Sequence, residues 1–157
     1  MMVFLSFCCF QAQAQVTTEG TDFWFGFMQN ADMGTESRLM IYITANAPTK
    51  GEIYLFESDS TVKFTAVPGA TFEYEVSYQI ANSFAASGSG AVQSKAIHIV
   101  SDDNITVYAL NSREKSADAS VILPTASLGD DYIVSAYTEI GSLSSQLLVV
   151  ASEDNTL

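Results

Sequence analysis

Bulky and polar side chains alternate along most of this chain with a period of two. The clearest run is Thr71 to Tyr78, where Phe72, Tyr74, Val76 and Tyr78 interleave with Thr71, Glu73, Glu75 and Ser77. Only an extended strand puts the four bulky groups on one face and both glutamates on the other. Leu39, Ile41 and Ile43 alternate in the same way with Met40, Tyr42 and Thr44. Further strands are predicted over Asp22–Met28, Gly51–Glu57, Val62–Ala66, Lys95–Ser101, Ile105–Asn111, Ala119–Leu123, Tyr132–Tyr137 and Gln146–Ser152. These runs are rich in Val, Ile, Tyr and Phe, which suit a pleated, half-buried surface. No stretch carries a helical stripe. The pattern predicts an all-β fold, an antiparallel β-sandwich of about ten short strands joined by hairpins.

Turn chemistry suggests how the strands connect. Ile97–Ser101 and Ile105–Ala109 flank Asp102-Asp103-Asn104, which reads as a hairpin, since Asp and Asn accept turn dihedrals and bond their own backbone. Leu147–Ser152 followed by Glu153-Asp154-Asn155 repeats the first half of that unit. Its second half is missing, which predicts a domain cut short at its C-terminal end. An unpaired edge at Leu147, Leu148, Val149 and Val150 would then invite self-association. Ala81 to Ser94, with its serines and glycines, reads as a loop, either plainly flexible or part of a binding surface.

The N-terminus changes which residues belong to the working domain. Met1 to Phe10 is apolar but shorter than the about 20 residues a membrane-spanning helix needs. Ala12-Gln13-Ala14 follows as a small-x-small pattern, so residues 1–14 are expected to be a signal peptide and 15–157 the domain. The departure from type is that no Lys or Arg precedes the apolar run. A lipoprotein signal at Cys8 or Cys9 and a buried N-terminal strand are the rival readings. Removing 1–14 takes away both cysteines, leaving no disulfide, thiolate nucleophile or cysteine-based metal site. The protein is thus expected to be secreted or held at the cell surface.

Charge then narrows the partners. The net charge is −12, from 18 carboxylates against six basic groups, and none of it lies in residues 1–14. Such a surface repels phosphate backbones, which argues against nucleic acid. No membrane insertion of the mature domain is expected, because no later apolar stretch approaches spanning length. An extracellular protein or a glycan remains as the expected ligand.

Few residues offer chemistry. His98, the only histidine, lies between Ile97 and Ile99, and no Gly-x-Ser-x-Gly elbow places a serine beside it. A mid-strand histidine is more often structural than catalytic, and no catalytic residues are assigned. Asp102-Asp103-Asn104, Asp130-Asp131 and Glu153-Asp154-Asn155 offer oxygen ligands of the kind calcium takes. They lack the Asp-x-Asp-x-Asp-Gly pattern and read as turns, so neither metal nor cofactor is expected. Asn104-Ile105-Thr106 forms a sequon. In Phe23-Trp24-Phe25-Gly26-Phe27 the phenylalanines should face the core, leaving Trp24 outward as a candidate contact residue unless a second sheet covers it. Asp118 precedes an apolar run near Arg113, Glu114 and Lys115, and is expected to organise that loop through backbone hydrogen bonds.

Gly20-Thr21-Asp22-Phe23-Trp24-Phe25-Gly26-Phe27 resembles the opening of the IgGFc-binding protein N-terminal domain in its bacterial form. Val107-Tyr108-Ala109-Leu110-Asn111, Ser116-Ala117-Asp118-Ala119, Leu123-Pro124 and Leu128-Gly129-Asp130-Asp131-Tyr132-Ile133-Val134 are similar to that family's central signature. Val150-Ala151-Ser152-Glu153-Asp154-Asn155-Thr156 is similar to its next strand and turn. The resemblance implies a Bacteroidetes-like source and a non-catalytic extracellular adhesion or binding module of a secreted or surface protein. It does not specify Fc as the ligand. The alternatives are a carbohydrate-binding or carboxylate-dependent hydrolase-associated domain, and a structural spacer with no ligand.

Overall fold

The computed structural model describes residues 17–30, 37–76, 85–88, 90–114, 116–129, 131–137 and 145–153. The expected signal peptide, with Cys8 and Cys9, lies outside the described residues, as do Asp130, Asp154 and Asn155. Among the described residues the chain is all-β, with nine strands and two short 3-10 turns at Phe56–Ser58 and Thr125–Ser127.

The strands are β1 (Glu19–Phe25), β2 (Phe27–Met28), β3 (Arg38–Ala45), β4 (Thr49–Leu55), β5 (Ser60–Ala66), β6 (Phe72–Val76), β7 (Ala85–Ala86), β8 (Ile97–Arg113) and β9 (Ser116–Ile122). Seven of them form a single antiparallel sheet, while β2 and β7 make a small parallel pair. The organising element is β8, 17 residues long. Its first half pairs with β4 on one side and β1 on the other, through the rows Tyr54↔His98↔Trp24 and Leu55↔Ile97↔Phe25. Its second half pairs with β3 on the β4 side and with β9 on the β1 side. Beyond β4 lies β5, and beyond β3 lies β6.

Hydrophobic burial follows the alternation. Phe23, Phe25, Ile53, Leu55, Ile97 and Ile99 from one half of the sheet join Leu39, Ile41, Ile43, Val76, Ile105 and Val107 from the other in one buried cluster. A sheet that twists and bends about its longest strand brings both inner faces onto a common core. Two glycines set close approaches. A Cβ on Gly51 would lie 2.2 Å from the Val100 carbonyl oxygen and 2.4 Å from the Phe64 ring. A Cβ on Gly20 would meet Pro124 at 2.4 Å.

Several expectations are corrected. Asp102-Asp103-Asn104 is not a hairpin turn but the middle of β8, so the two strands expected on either side of it are one. The Asp103 amide donates to Thr49 Oγ1 at 3.0 Å, and Ser101 Oγ donates to the Asp103 carbonyl at 2.8 Å. Partners outside the segment thus satisfy the groups that a turn would have satisfied locally. The sequon Asn104-Ile105-Thr106 is in strand as well, with Ile105 buried. Tyr132–Tyr137 joins no ladder, and neither do the described residues at 145–152. Leu148 and Val150 come close to Gly26, while Leu147 and Val149 are exposed. Within Ala81–Ser94, Ala85–Ala86 is strand β7.

Candidate functional site

The outward face of β1, β8 and β4 collects most of the distinctive side chains. Phe23, Phe25 and Phe27 are buried, as the alternation requires, and Trp24 emerges on the opposite side. Its position is set by register. The pairing shifts between Gly20↔Ile105 and Asp22↔Val100, and this irregularity leaves Trp24 directly opposite His98. On the other flank of β8, Tyr54 is also directly opposite His98. Cross-strand neighbours of this kind stand close enough for rings to touch.

The three rings form a stack. Trp24 and His98 have centroids 4.0 Å apart with planes 13° from parallel, and Tyr54 lies 5.7 Å from His98 on its other face. Phe56, just past the end of β4, tilts against Trp24 at 5.5 Å and is itself 47% exposed. Trp24 is half-buried, and among the described residues its ring neighbours are His98 and Phe56 of the same surface.

Carboxylates flank the stack. Asp22 Oδ2 is 2.8 Å from His98 Nε2, and Asp22 Oδ1 accepts from the Thr125 hydroxyl. Partial burial works to raise the Asp22 pKa, but the Thr125 and His98 contacts outweigh it and hold the carboxyl below its usual range. On the far side, the Tyr54 hydroxyl donates to Glu52 Oε2 at 2.5 Å, and Lys63 Nζ lies 3.6 Å from Glu52 Oε1. The hydroxyl bond, with help from Lys63, lowers the Glu52 pKa, and the same bond raises that of Tyr54. Lys50 pairs with Asp102 at 3.7 Å further along. The result is a continuous strip from Thr125 through Asp22, Trp24, His98 and Tyr54 to Glu52 and Lys63.

The order of groups in this strip matters chemically. A Ser-His-Asp triad places imidazole between hydroxyl and carboxylate, so that the ring removes the hydroxyl proton. Here the carboxylate stands between hydroxyl and imidazole. Thr125 donates to Asp22, and among the described residues no serine or threonine hydroxyl bonds the His98 ring. The arrangement orients the ring and ties the 3-10 turn to β1.

Asp118 departs from expectation. It sits within β9, opposite Asn111, rather than in a loop, and it is exposed. Its carboxylate makes no hydrogen bond or ion pair among the described residues. Asp102 pairs with Lys50, and no group of three or more His, Cys, Asp or Glu side chains converges among the described residues. No helix there is long and apolar enough to cross a membrane. Sequence reasoning singled out Trp24 and His98 separately but missed Tyr54, Phe56, Asp22 and Thr125 as their neighbours. The alternation in β4 offered a signal, because Tyr54 shares its face with Glu52.

No family model, no curated protein and no solved structure matches this chain.

Proposed function

We propose that this chain is a non-catalytic binding module of a secreted or surface protein, and that it contacts its ligand through the outward face of β1, β8 and β4. The observation that carries this reading is the ring stack of Trp24, His98 and Tyr54, with Phe56 half-exposed beside it. Aromatic groups held rigid by their neighbours and rimmed by polar side chains are what interface hot spots are made of. They lose little side-chain entropy on binding, because the fold has already fixed them. Asp22, Glu52 and Lys63 supply hydrogen-bonding groups for orientation at the edge of the rings.

Adhesion through an extracellular protein or glycan is part of this reading, and the resemblance of residues 20–27 and 107–134 to the IgGFc-binding N-terminal domain is what ties it to that family. The non-enzymatic part is supported by the order of Thr125, Asp22 and His98, which leaves the imidazole without an attacking hydroxyl among the described residues.

The test pairs binding with hydrolysis. Trp24→Ala and Phe56→Ala should abolish capture on combined glycan and extracellular-protein arrays while the melting curve shows a folded protein. The parent chain should show no turnover in a general hydrolase screen. Turnover that disappears in His98→Gln would replace this reading with an enzymatic one. Capture unchanged in both aromatic variants would move the contact surface elsewhere.

A further inference from the structure

We propose that β9 is a docking edge for a second copy of this chain, which adds its own segment 131–137 as the next strand. Among the described residues β9 bonds β8 alone, and its five central residues, Ala117 to Val121, are all exposed. Among the described residues its outer side thus presents backbone N–H and C=O groups without a ladder partner, a template for pairing with another strand. The usual guards are missing. β9 contains no proline or lysine, its register runs unbroken from Arg113↔Ser116 to Val107↔Ile122, and its single charge is Asp118.

The complementary part is on the same chain. Every residue from Asp131 to Tyr137 is exposed, with Ile133 at 99% and Tyr137 at 91%. Tyr132, Ile133, Val134 and Tyr137 are strand formers, yet the segment belongs to no ladder. The segment's single charge is Asp131 at its first position, so residues 132–137 can lie beside Asp118 without setting another carboxylate against it.

Within one copy the chain is led away from β9. Pro124 packs on Gly20, the Thr125 hydroxyl donates to Asp22, and Ser127 Oγ donates to the Thr17 carbonyl at 2.9 Å. These contacts tie 124–127 along β1. Ser145 Oγ accepts from the Tyr137 amide and donates to its carbonyl. Among the described residues one copy thus carries an edge without a second ladder partner and, over 132–136, an extended segment outside any ladder. Two copies satisfy both at once, and a reciprocal exchange closes as a two-fold dimer.

Size and charge set how the dimer behaves. A seven-residue strand is about 23 Å long, so each addition is short. Two of them sit at the low end of specific interfaces, which bury about 1,200–2,000 Å2, and the dimer should therefore depend on concentration. Each copy carries a net charge of −12, and salt screens that repulsion. Association should strengthen with added salt, opposite to an interface held by ion pairs.

The experiment is sedimentation velocity on the 157-residue chain across concentration at low and moderate salt, with Ala119→Lys and Ile133→Lys alongside. Both positions are exposed, so both variants should melt like the parent. The parent should form a dimer favoured by salt, and each variant alone should be monomeric. Mixing the two variants should restore association, because one copy retains its segment and the other its edge. A parent that stays monomeric under every condition overturns the proposal. So does a dimer that survives both substitutions, or open-ended assembly in place of a closed pair.

Discussion

β1 and β9 lie end to end along the same side of β8, and they are opposites in how they are held. β1 buries Phe23 and Phe25, stacks Trp24 on His98, and is tied to the 3-10 turn through Asp22 and Thr125. β9 brings Ala117, Asp118, Ala119, Ser120 and Val121 to the same length of ladder, and all five are exposed. Both have a full register against β8 apart from the irregularity in β1. Backbone pairing is therefore not what separates them. Side chains are: an inward row of aromatic rings places β1 over the core, whereas small and polar residues leave β9 reaching past it. A net hydrogen bond contributes only about 0.5–1.5 kcal/mol, while burying a large apolar side chain contributes about 1.5–3. By that measure β1 should anchor the fold, and β9 should be an edge kept for partners.

The largest effect expected from this comparison is at Phe23, which is fully buried. Phe23→Ala should cost about 3–5 kcal/mol in urea unfolding, through lost transfer energy and the cavity left behind. On β9 the matching change, Val121→Ala at a 43% exposed position, should stay within about 0.5 kcal/mol. Similar costs at the two sites would mean that the strands are equally integrated, and the comparison would break.

The contrast also shows where the sequence was legible. Alternation placed Phe23, Phe25 and Phe27 inside, and it placed Leu39, Ile41 and Ile43 inside. It put Glu73 and Glu75 outward on β6. Inward and outward positions are local properties, and period two encodes them. The continuity of β8 was not legible, because Asp102-Asp103-Asn104 has genuine turn chemistry. What overrides it is non-local: Thr49 on a neighbouring strand accepts from Asp103, and β1 and β3 clamp Ile105 from both sides. The site was half legible for the same reason. An outward Trp24 follows from alternation, but its meeting with His98 depends on a register shift near Gly20 that no spacing announces. Tyr132–Tyr137 shows the same division. Its composition specifies an extended chain and says nothing about the partner strand.

An intermediate effect sharpens the comparison on the β1 side. Asp22 has its pKa lowered in the folded chain, chiefly because the Thr125 and His98 contacts overcome its partial burial. A carboxyl that is more acidic when folded stabilises the native state above its unfolded pKa, and this contribution is lost as the pH falls through the folded value. The chain should therefore lose stability as the pH drops below about 4. Asp22→Asn should lack that part of the acid sensitivity and should cost about 1 kcal/mol at neutral pH, a modest figure because the side chain is 43% exposed and solvent screens it. Thermal melts of both proteins from pH 3 to 7 would check this. Parallel curves for the two would remove Asp22 as the tie between β1 and the turn.

The smallest effect belongs to Asp118, and it tests the β9 half most directly. Its place beside Arg113, Glu114 and Lys115 suggested a loop organiser, whose loss would cost about 1–3 kcal/mol if buried backbone groups were left unpaired. Opposite Asn111 in a regular ladder, with an exposed carboxylate that bonds nothing among the described residues, it has no backbone group to release. Asp118→Ala should accordingly change the unfolding free energy by no more than about 0.5 kcal/mol. It also removes the single charge on an edge that is otherwise Ser, Ala, Val and Ile, and edge charges are what keep such strands from pairing. The variant should therefore melt like the parent and associate more strongly in sedimentation at equal concentration. A loss of several degrees in Tm would return Asp118 to a structural role. Unchanged association would mean that its charge does not limit pairing at β9.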